Sequence, residues 1–160
     1  MNSIDSQTQG PDPAAAERTA MTEALESRLL AIEAAARFHN VELDRDELRV
    51  PKGAPPSPAA LVEWVREGGL WCRAVRMRFA QLLKVEASSP VILLLRDGSA
   101  ALLTTVDQAR NIVWVKDPRA PSGDPPVAVD ELRLSQVWSG ETLLLRRVHD
   151  LTDELSLIHI

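Results

Sequence analysis

Apolar residues in the first part of the chain recur at three- and four-residue spacing, the period of an amphipathic helix. The first such stripe consists of Leu25, Leu29, Ile32 and Ala36. It predicts a helix that starts at residue 20 and ends near Asn40, a residue type that tolerates the left-handed backbone of a helix end. A second helix is predicted where Ser57 provides an N-cap and Pro58 the first helical position.

From residue 70 onward the pattern changes to short apolar runs bounded by turn residues, which predicts strands. These runs are "LWCRAVRMR", "PVILLL", "AALLTTV", "NIVWVKD" and "TLLLRRV". Two short helices are predicted among them, in "FAQLLKV" and in "VDELRLSQVWSG", the second ending at Gly140. Helices followed by strands that surround short helices indicate an α+β domain with a mainly antiparallel sheet.

Composition fits one domain with a substantial core, because hydrophobic residues make up 45% of the 160 residues. The formal net charge of −5 argues against a dedicated nucleic-acid binder, which usually carries a basic face. Residues 1–19 are polar, contain Gly and Pro, and are predicted to be a disordered leader. With neither a long apolar run nor a signal peptide in the sequence, the pattern indicates a soluble cytoplasmic domain.

Candidate chemistry is sparse. The single cysteine, Cys72, lies in a predicted strand and is interpreted as a core residue. The three histidines are scattered without the paired spacing of a metal site; they are His39, His149 and His159. The stretch "RDGSAALLTTV" runs through a charged turn of the kind that presents catalytic side chains, yet it offers Ser99, Ala100 and Ala101 and no general base.

The order of several segments resembles the cysteine peptidase domain of family C39, which stands at the N-terminus of bacteriocin-processing and type I secretion ABC transporters. The resemblance extends from about residue 23 to residue 147. Its most specific parts are "ARFHN" at a helix end, "PVILLLRDG" before a strand, "VKDP" after one, and "VWSGETLLL". It implies a papain-like fold in which N-terminal helices pack on a mainly antiparallel sheet.

The resemblance also implies where the family's catalytic residues would lie. The nucleophilic Cys falls on Ser27, the Gln of the oxyanion hole on Met21, and the His on Ser99 or Ala100. Asp117 of "VKDP" matches the Asp that orients the His. Without the Cys, Gln and His, the proton transfer of general base catalysis is missing, so the resemblance implies a degenerate site. Asp117 is then interpreted as a structural carboxylate that accepts turn hydrogen bonds.

Exporters of the haemolysin and large-adhesin types carry such a domain without the Cys, where it resembles a module that docks unfolded export substrate. We therefore expect a catalytically inactive domain on the cytoplasmic side of the bacterial inner membrane that binds an unfolded secreted protein. Trp71 and Trp138, each near the end of an element, are the predicted anchors, because Trp is enriched at binding hot spots. Trp114, in "IVWV", is expected to be core.

The remaining expectations concern domain organisation and partners. We expect the C39-like domain to span residues 20–148, followed by the start of a linker at 149–154. Residues 155–160, "LSLIHI", read like the translation of a sequencing adapter. The partners implied are the membrane and ATPase domains of the same transporter, with no nucleic acid. The present chain is itself expected to hold no cofactor and no metal, because ATP and Mg²⁺ belong to the ATPase domain.

Two alternatives stay open from the sequence. One is an active leader peptidase that uses Ser27 or Cys72, and it requires a base within hydrogen-bond reach of either side chain. The other is an unrelated small α+β adaptor domain. A papain-like arrangement would bring Ser27, Ser99 and Asp117 to one place, whereas an unrelated fold would scatter them.

Overall fold

A computed structural model describes residues 12–50, 55–85 and 89–148 as four α-helices and one six-stranded sheet. The helices are α1 (Pro13–Phe38), α2 (Pro58–Glu67), α3 (Phe79–Leu82) and α4 (Glu131–Val137), and a short 3₁₀ helix covers Arg45–Glu47. The strands are β1 (Trp71–Arg76), β2 (Val91–Leu95), β3 (Ala100–Asp107), β4 (Ile112–Lys116), β5 (Val127–Asp130) and β6 (Trp138–Arg146).

All neighbouring strands in the sheet are antiparallel, and their spatial order is β1-β6-β2-β3-β4-β5. Strand β6 therefore lies between β1 and β2, so the sheet pairs strands that are far apart in the sequence. Helices α1 and α2 contact the β1 to β3 half of the sheet. This arrangement confirms the predicted α+β class with helices packed on a mainly antiparallel sheet.

The core has two parts, one on each face of the sheet. On the first face, α1 and α2 pack with Ile92 and Leu94, while Val91 and Leu93 belong to the second part with α3 and α4. Successive side chains of a strand point to opposite faces, so a central strand covered on both sides is apolar throughout. The continuous run "VILLL" is explained by this position.

Helix α1 begins earlier than the sequence pattern predicts. Asp12 caps it, its side chain accepting a hydrogen bond from the N–H of Ala14, and Pro13 occupies the first turn. Residues 13–19 of the predicted leader are therefore helical, which corrects that boundary; residues 1–11 lie outside the described part. The apolar stripe begins only where α1 reaches the sheet, which is why periodicity missed the first turns. Asn40 has φ of 62°, as expected of a helix end.

The last helix and the last strand are divided differently from the prediction. Helix α4 ends at Val137, and "WSG" already belongs to β6. Gly140 has φ of 114°, and a Cβ there would lie 2.8 Å from the carbonyl oxygen of Met77. Gly140 is therefore a strand glycine at a close backbone approach and does not end a helix. The predicted linker at 149–154 and the adapter-like tail at 155–160 lie outside the described residues.

Candidate functional site

Ser27, which the resemblance matched to the family's nucleophile, is bonded directly to Ala100, one of the two residues, with Ser99, that the resemblance matched to the base. Ser27 lies on α1 and is 0% exposed. Its Oγ donates to the carbonyl oxygen of Ala100 at 3.1 Å and accepts from the N–H of Ala100 at 3.0 Å. The hydroxyl thus bonds to both backbone groups of the first residue of β3. This hydrogen-bonded pair fixes the docking of α1 on the sheet.

The turn between β2 and β3 is held by its own side chains. The Ser99 hydroxyl donates to Asp97 Oδ1 at 2.5 Å, and the Ser99 N–H donates to the same oxygen at 2.9 Å. The hydrogen bond from the Ser99 hydroxyl lowers the pKa of Asp97, with a smaller contribution from the positive charge of Arg119. Gly98 has φ of 91°, a conformation that favours glycine. Ser99 therefore has a structural partner within its own turn.

Arg28 of α1 forms hydrogen bonds to the turn between β2 and β3. Its guanidinium donates to the carbonyl oxygens of Ser99 at 3.3 Å and of Leu95 at 3.1 Å. Burial lowers the pKa of Arg28, while the charges of Glu141 and Asp97 oppose that shift. The side chain that follows Ser27 therefore also serves to hold helix and turn together.

Asp117 follows Lys116, the last residue of β4, which pairs with Leu102 of β3. Its Oδ1 accepts from the backbone N–H of Arg119 at 2.9 Å and from the Arg119 Nε at 3.4 Å. The carboxylate is thus an exposed acceptor in its own turn. The charge of Arg119 reaches Asp97 as well, so the Asp117 turn and the Ser99 turn lie at the same end of β3.

Met21, the position of the family's Gln, borders an open cleft of about 260 Å³ beside this arrangement. The cleft is lined by residues of α1, by Pro55 and Pro56, and by the turn at Arg96, Asp97 and Gly98. The Met21 side chain is 50% exposed. A thioether offers no N–H donor for an oxyanion, so Met21 contributes apolar surface to the cleft.

Two other candidates from the sequence, His39 as a base and Cys72 as a nucleophile, do not complete a catalytic site with Ser27. His39 is the only histidine in residues 12–50, 55–85 and 89–148, and it lies twelve positions further along α1, about 18 Å away. Cys72 is fully buried on β1, and burial raises the pKa of its thiol to about 12. A thiol with such a pKa is protonated near neutral pH. Cys72 also packs within the core, as predicted. His149 and His159 lie outside the described residues.

The tryptophans divide differently from the expectation. Trp138 is only 5% exposed, and its indole N–H donates to the carbonyl oxygen of Glu141 at 2.8 Å, so it is not an exposed anchor. Trp114 is 37% exposed rather than core. It alternates with Val113, which faces the second part of the core, so Trp114 lies on the other face of β4, while the main sheet contacts of α1 are with β2 and β3. Trp71, the first residue of β1, is half-buried and stays a candidate anchor.

Within the described ranges of the chain, no group of three or more His, Cys, Asp or Glu side chains is placed to hold a metal ion. No helix in the same ranges has the length and apolar character needed to cross a membrane.

Helices thus pack on this antiparallel sheet, with Ser27 against the start of β3 and Asp117 just after β4. No protein-family model matches the sequence, and no curated protein is significantly similar to it. Solved structures are similar, and all of those compared below are less than 25% identical to the chain, a level at which the likeness shows the fold.

One similar structure is a double glycine motif protease from an AMS/PCAT transporter in complex with the leader peptide. Its TM-score is 0.59 at 16% identity, over 78% of this chain and 86% of that one. A second is the N-terminal peptidase C39 like domain of the toxin secretion ATP-binding protein from Vibrio parahaemolyticus. Its TM-score is 0.54 at 18% identity, over 78% of this chain and 95% of that one.

A third similar structure is the peptidase domain of Streptococcus ComA, a bi-functional ABC transporter involved in a quorum sensing pathway. Its TM-score is 0.55 at 14% identity, over 73% of this chain and 88% of that one. The chain therefore has the fold of the peptidase C39-like domains of ABC transporters. The fold that the sequence resemblance implied is confirmed.

Proposed function

We propose that this chain is a C39 peptidase-like domain of a type I secretion ABC transporter that has no peptidase activity and docks unfolded export polypeptide. Its place would be the cytoplasmic face of the bacterial inner membrane, beside the transporter's membrane and ATPase domains. ATP and Mg²⁺ would act in that ATPase domain. The observation that carries the proposal is the bonding of the Ser27 hydroxyl to both backbone groups of Ala100.

Acyl transfer requires a nucleophile whose proton can pass to a neighbouring base. The Ser27 hydroxyl donates its hydrogen bond to the Ala100 carbonyl oxygen, which is not a general base, and the Ala100 methyl group cannot accept a proton. General acid–base catalysis contributes roughly 10²–10⁴-fold in rate, and that contribution is missing here. The buried hydroxyl is also out of contact with the cleft in which a peptide bond would lie. These features favour a structural role for the former catalytic positions.

Peptide binding without chemistry is supported by three features. One similar structure is a protease in complex with the leader peptide, so a protein of this fold binds a peptide. In the present chain, the cleft beside Met21 is lined by apolar side chains together with Arg28 and Arg96. Half-buried Trp71 adds an aromatic surface at the start of β1. Unfolded chains bind weakly because they lose conformational entropy, so we expect dissociation constants of about micromolar or weaker.

The test is a titration of ¹⁵N-labelled domain with an unfolded export polypeptide of a type I secretion system and, in parallel, with its folded form. The proposal predicts shifts with the unfolded form only, including the indole N–H of Trp71. The indole N–H of buried Trp138 serves as an internal control and should move little. Equal shifts with both forms, or none with either at high concentration, would contradict docking and favour a structural spacer.

A further inference from the structure

The two edges of the sheet differ in their capacity to pair with another chain. Strand β5 has four residues, follows Pro125 and Pro126, and ends at Asp130. Short length and adjacent prolines are the features by which proteins prevent edge pairing. Strand β1 has six residues, and among the described strands it pairs only with β6. The β1 edge is therefore the open one.

The outward hydrogen-bonding groups of β1 can be assigned from two contacts. The Met77 N–H donates inward to the Gly140 carbonyl oxygen at 2.8 Å, whereas the Cys72 carbonyl oxygen accepts from Arg66 Nε at 3.1 Å on the outer side. Bonding sides alternate along an antiparallel strand, so the backbone groups of Ala74 and Arg76 also point outward. None of the hydrogen bonds found within residues 12–50, 55–85 and 89–148 uses these outward groups.

A hollow lies between α2 and the sheet, over Ala74 of β1, Thr142 of β6 and Leu94 of β2, so a side chain of a strand added outside β1 would reach it across Ala74. It has a volume of about 160 Å³, and Pro58 of α2, Arg76 and Glu141 also line it. The small side chain of Ala74 leaves this space open between α2 and the sheet. A volume of about 150 Å³ accommodates a benzene-sized group, so the hollow has room for one apolar side chain. Strand addition gains affinity from backbone bonds and specificity from such pockets.

The charge of this edge differs from that of the whole chain. The formal net charge is −5, yet four arginines lie on or next to β1: Arg66, Arg73, Arg76 and Arg78. Glu141 approaches Arg76 only at 4.0 Å, in a pair so exposed that it contributes little. Arg73 and Arg78 form no ion pair with any described residue. A second copy of β1 would place arginines near arginines, so like charge disfavours self-pairing.

We propose that the β1 edge is a strand-addition site for an extended acidic segment of a polypeptide, and that one apolar side chain of this segment fills the hollow beside Ala74. The inference rests on the proposed docking function and names the surface and the chemistry of the partner. Carboxylates of the added strand would meet Arg73 on one face of the sheet and Arg76 on the other. Trp71 lies on the same face as Arg73 and extends the contact.

The test uses the full chain and two synthetic unfolded peptides, one in which Glu alternates with Val and Ser, and one with Lys in place of every Glu. Binding is measured by fluorescence anisotropy of labelled peptide and by hydrogen exchange of the Ala74 and Arg76 amides. We expect the Glu peptide to bind at least about tenfold more tightly than the Lys peptide and to protect both amides, because opposite charges favour pairing across strands.

Two variants and one control localise the site. Ala74→Pro removes only an outward N–H, a substitution that edge strands accommodate, and Arg73→Glu/Arg76→Glu reverses the charge. Each should weaken binding of the Glu peptide by about tenfold or more. The control Arg110→Glu reverses one arginine charge in the turn between β3 and β4, three to four strands or about 14–19 Å from β1 across the sheet. It should leave the affinity unchanged, and circular dichroism verifies that each variant is folded.

The outcomes separate this inference from the proposed function. Equal binding of both peptides, or affinity for the Glu peptide that neither edge variant changes, would overturn the β1 site. If an unfolded export polypeptide still binds in that case, docking stands and occurs elsewhere. If the Glu peptide binds as predicted but the export polypeptide does not bind, the edge site stands and the proposed function fails.

Discussion

The Ser27 hydroxyl bonds to both the N–H and the carbonyl oxygen of Ala100, so α1 and β3 are joined at the two positions where related peptidases are expected to hold nucleophile and base. Seventy-three positions separate these residues in the sequence. A contact of this kind specifies one orientation of the helix on the sheet. The positions thus have a structural use that does not depend on catalysis.

The first prediction concerns the stability that this contact provides. Ser27→Ala leaves two buried backbone groups of Ala100 without their partner, and an unsatisfied buried group costs about 1–3 kcal/mol. We expect the free energy of unfolding in urea to fall by about that amount. The control Ser122→Ala, in an exposed loop, should change it by less than about 0.5 kcal/mol. A Ser27→Ala domain as stable as the parent would show that the contact is dispensable.

The second prediction concerns how the stability of the domain falls as the pH is lowered. The pKa of Asp97 is lowered in the folded state from its ordinary value of 3.8, chiefly by the Ser99 hydroxyl. A lowered folded-state pKa contributes stability that is present above the ordinary value and is lost as pH falls through the folded-state value. We expect Asp97→Asn to lower stability at pH 7 and to converge with the parent in strong acid. Parallel curves for parent and variant in acid titrations would contradict this role.

The third prediction concerns Cys72. Its thiol is buried in the core beneath α2, and its pKa is raised to about 12, so the thiolate needed for reaction is scarce at pH 8. A thiol reagent that forms a coloured product should react slowly with the native domain and stoichiometrically in denaturant. Rapid, complete labelling of the native domain would revive Cys72 as a candidate nucleophile.

Local sequence signals predicted the elements that depend on local chemistry. Ser57 caps α2, its side chain accepting from the Ala60 N–H at 3.2 Å, and Asn40 lies just past the end of α1. The division between α4 and β6 was missed because Gly140 reads as a helix end in sequence. Only the approach of Met77 across the sheet makes it a strand residue.

Burial of the tryptophans depended on tertiary coverage that the sequence does not contain. Trp114 occupies an apolar strand, yet its side chain is 37% exposed, whereas Trp138 at an element end is buried. The proximity of Ser27 to the turn that holds Ser99 and Ala100 was expected from the resemblance alone. The double hydrogen bond between Ser27 and Ala100 and the support of the turn by Arg28 have no sequence signature and required the structure.

The central claim is that the former catalytic positions carry no chemistry, and a cleavage assay tests it most directly. The chain is incubated with a double-glycine leader peptide, and products are followed by mass spectrometry against a buffer control. We predict no product above that control, and none for Ser27→Cys either, because a new thiol would still lack a base. Cleavage by the parent chain that disappears in Ser27→Ala or in Cys72→Ala would contradict the account.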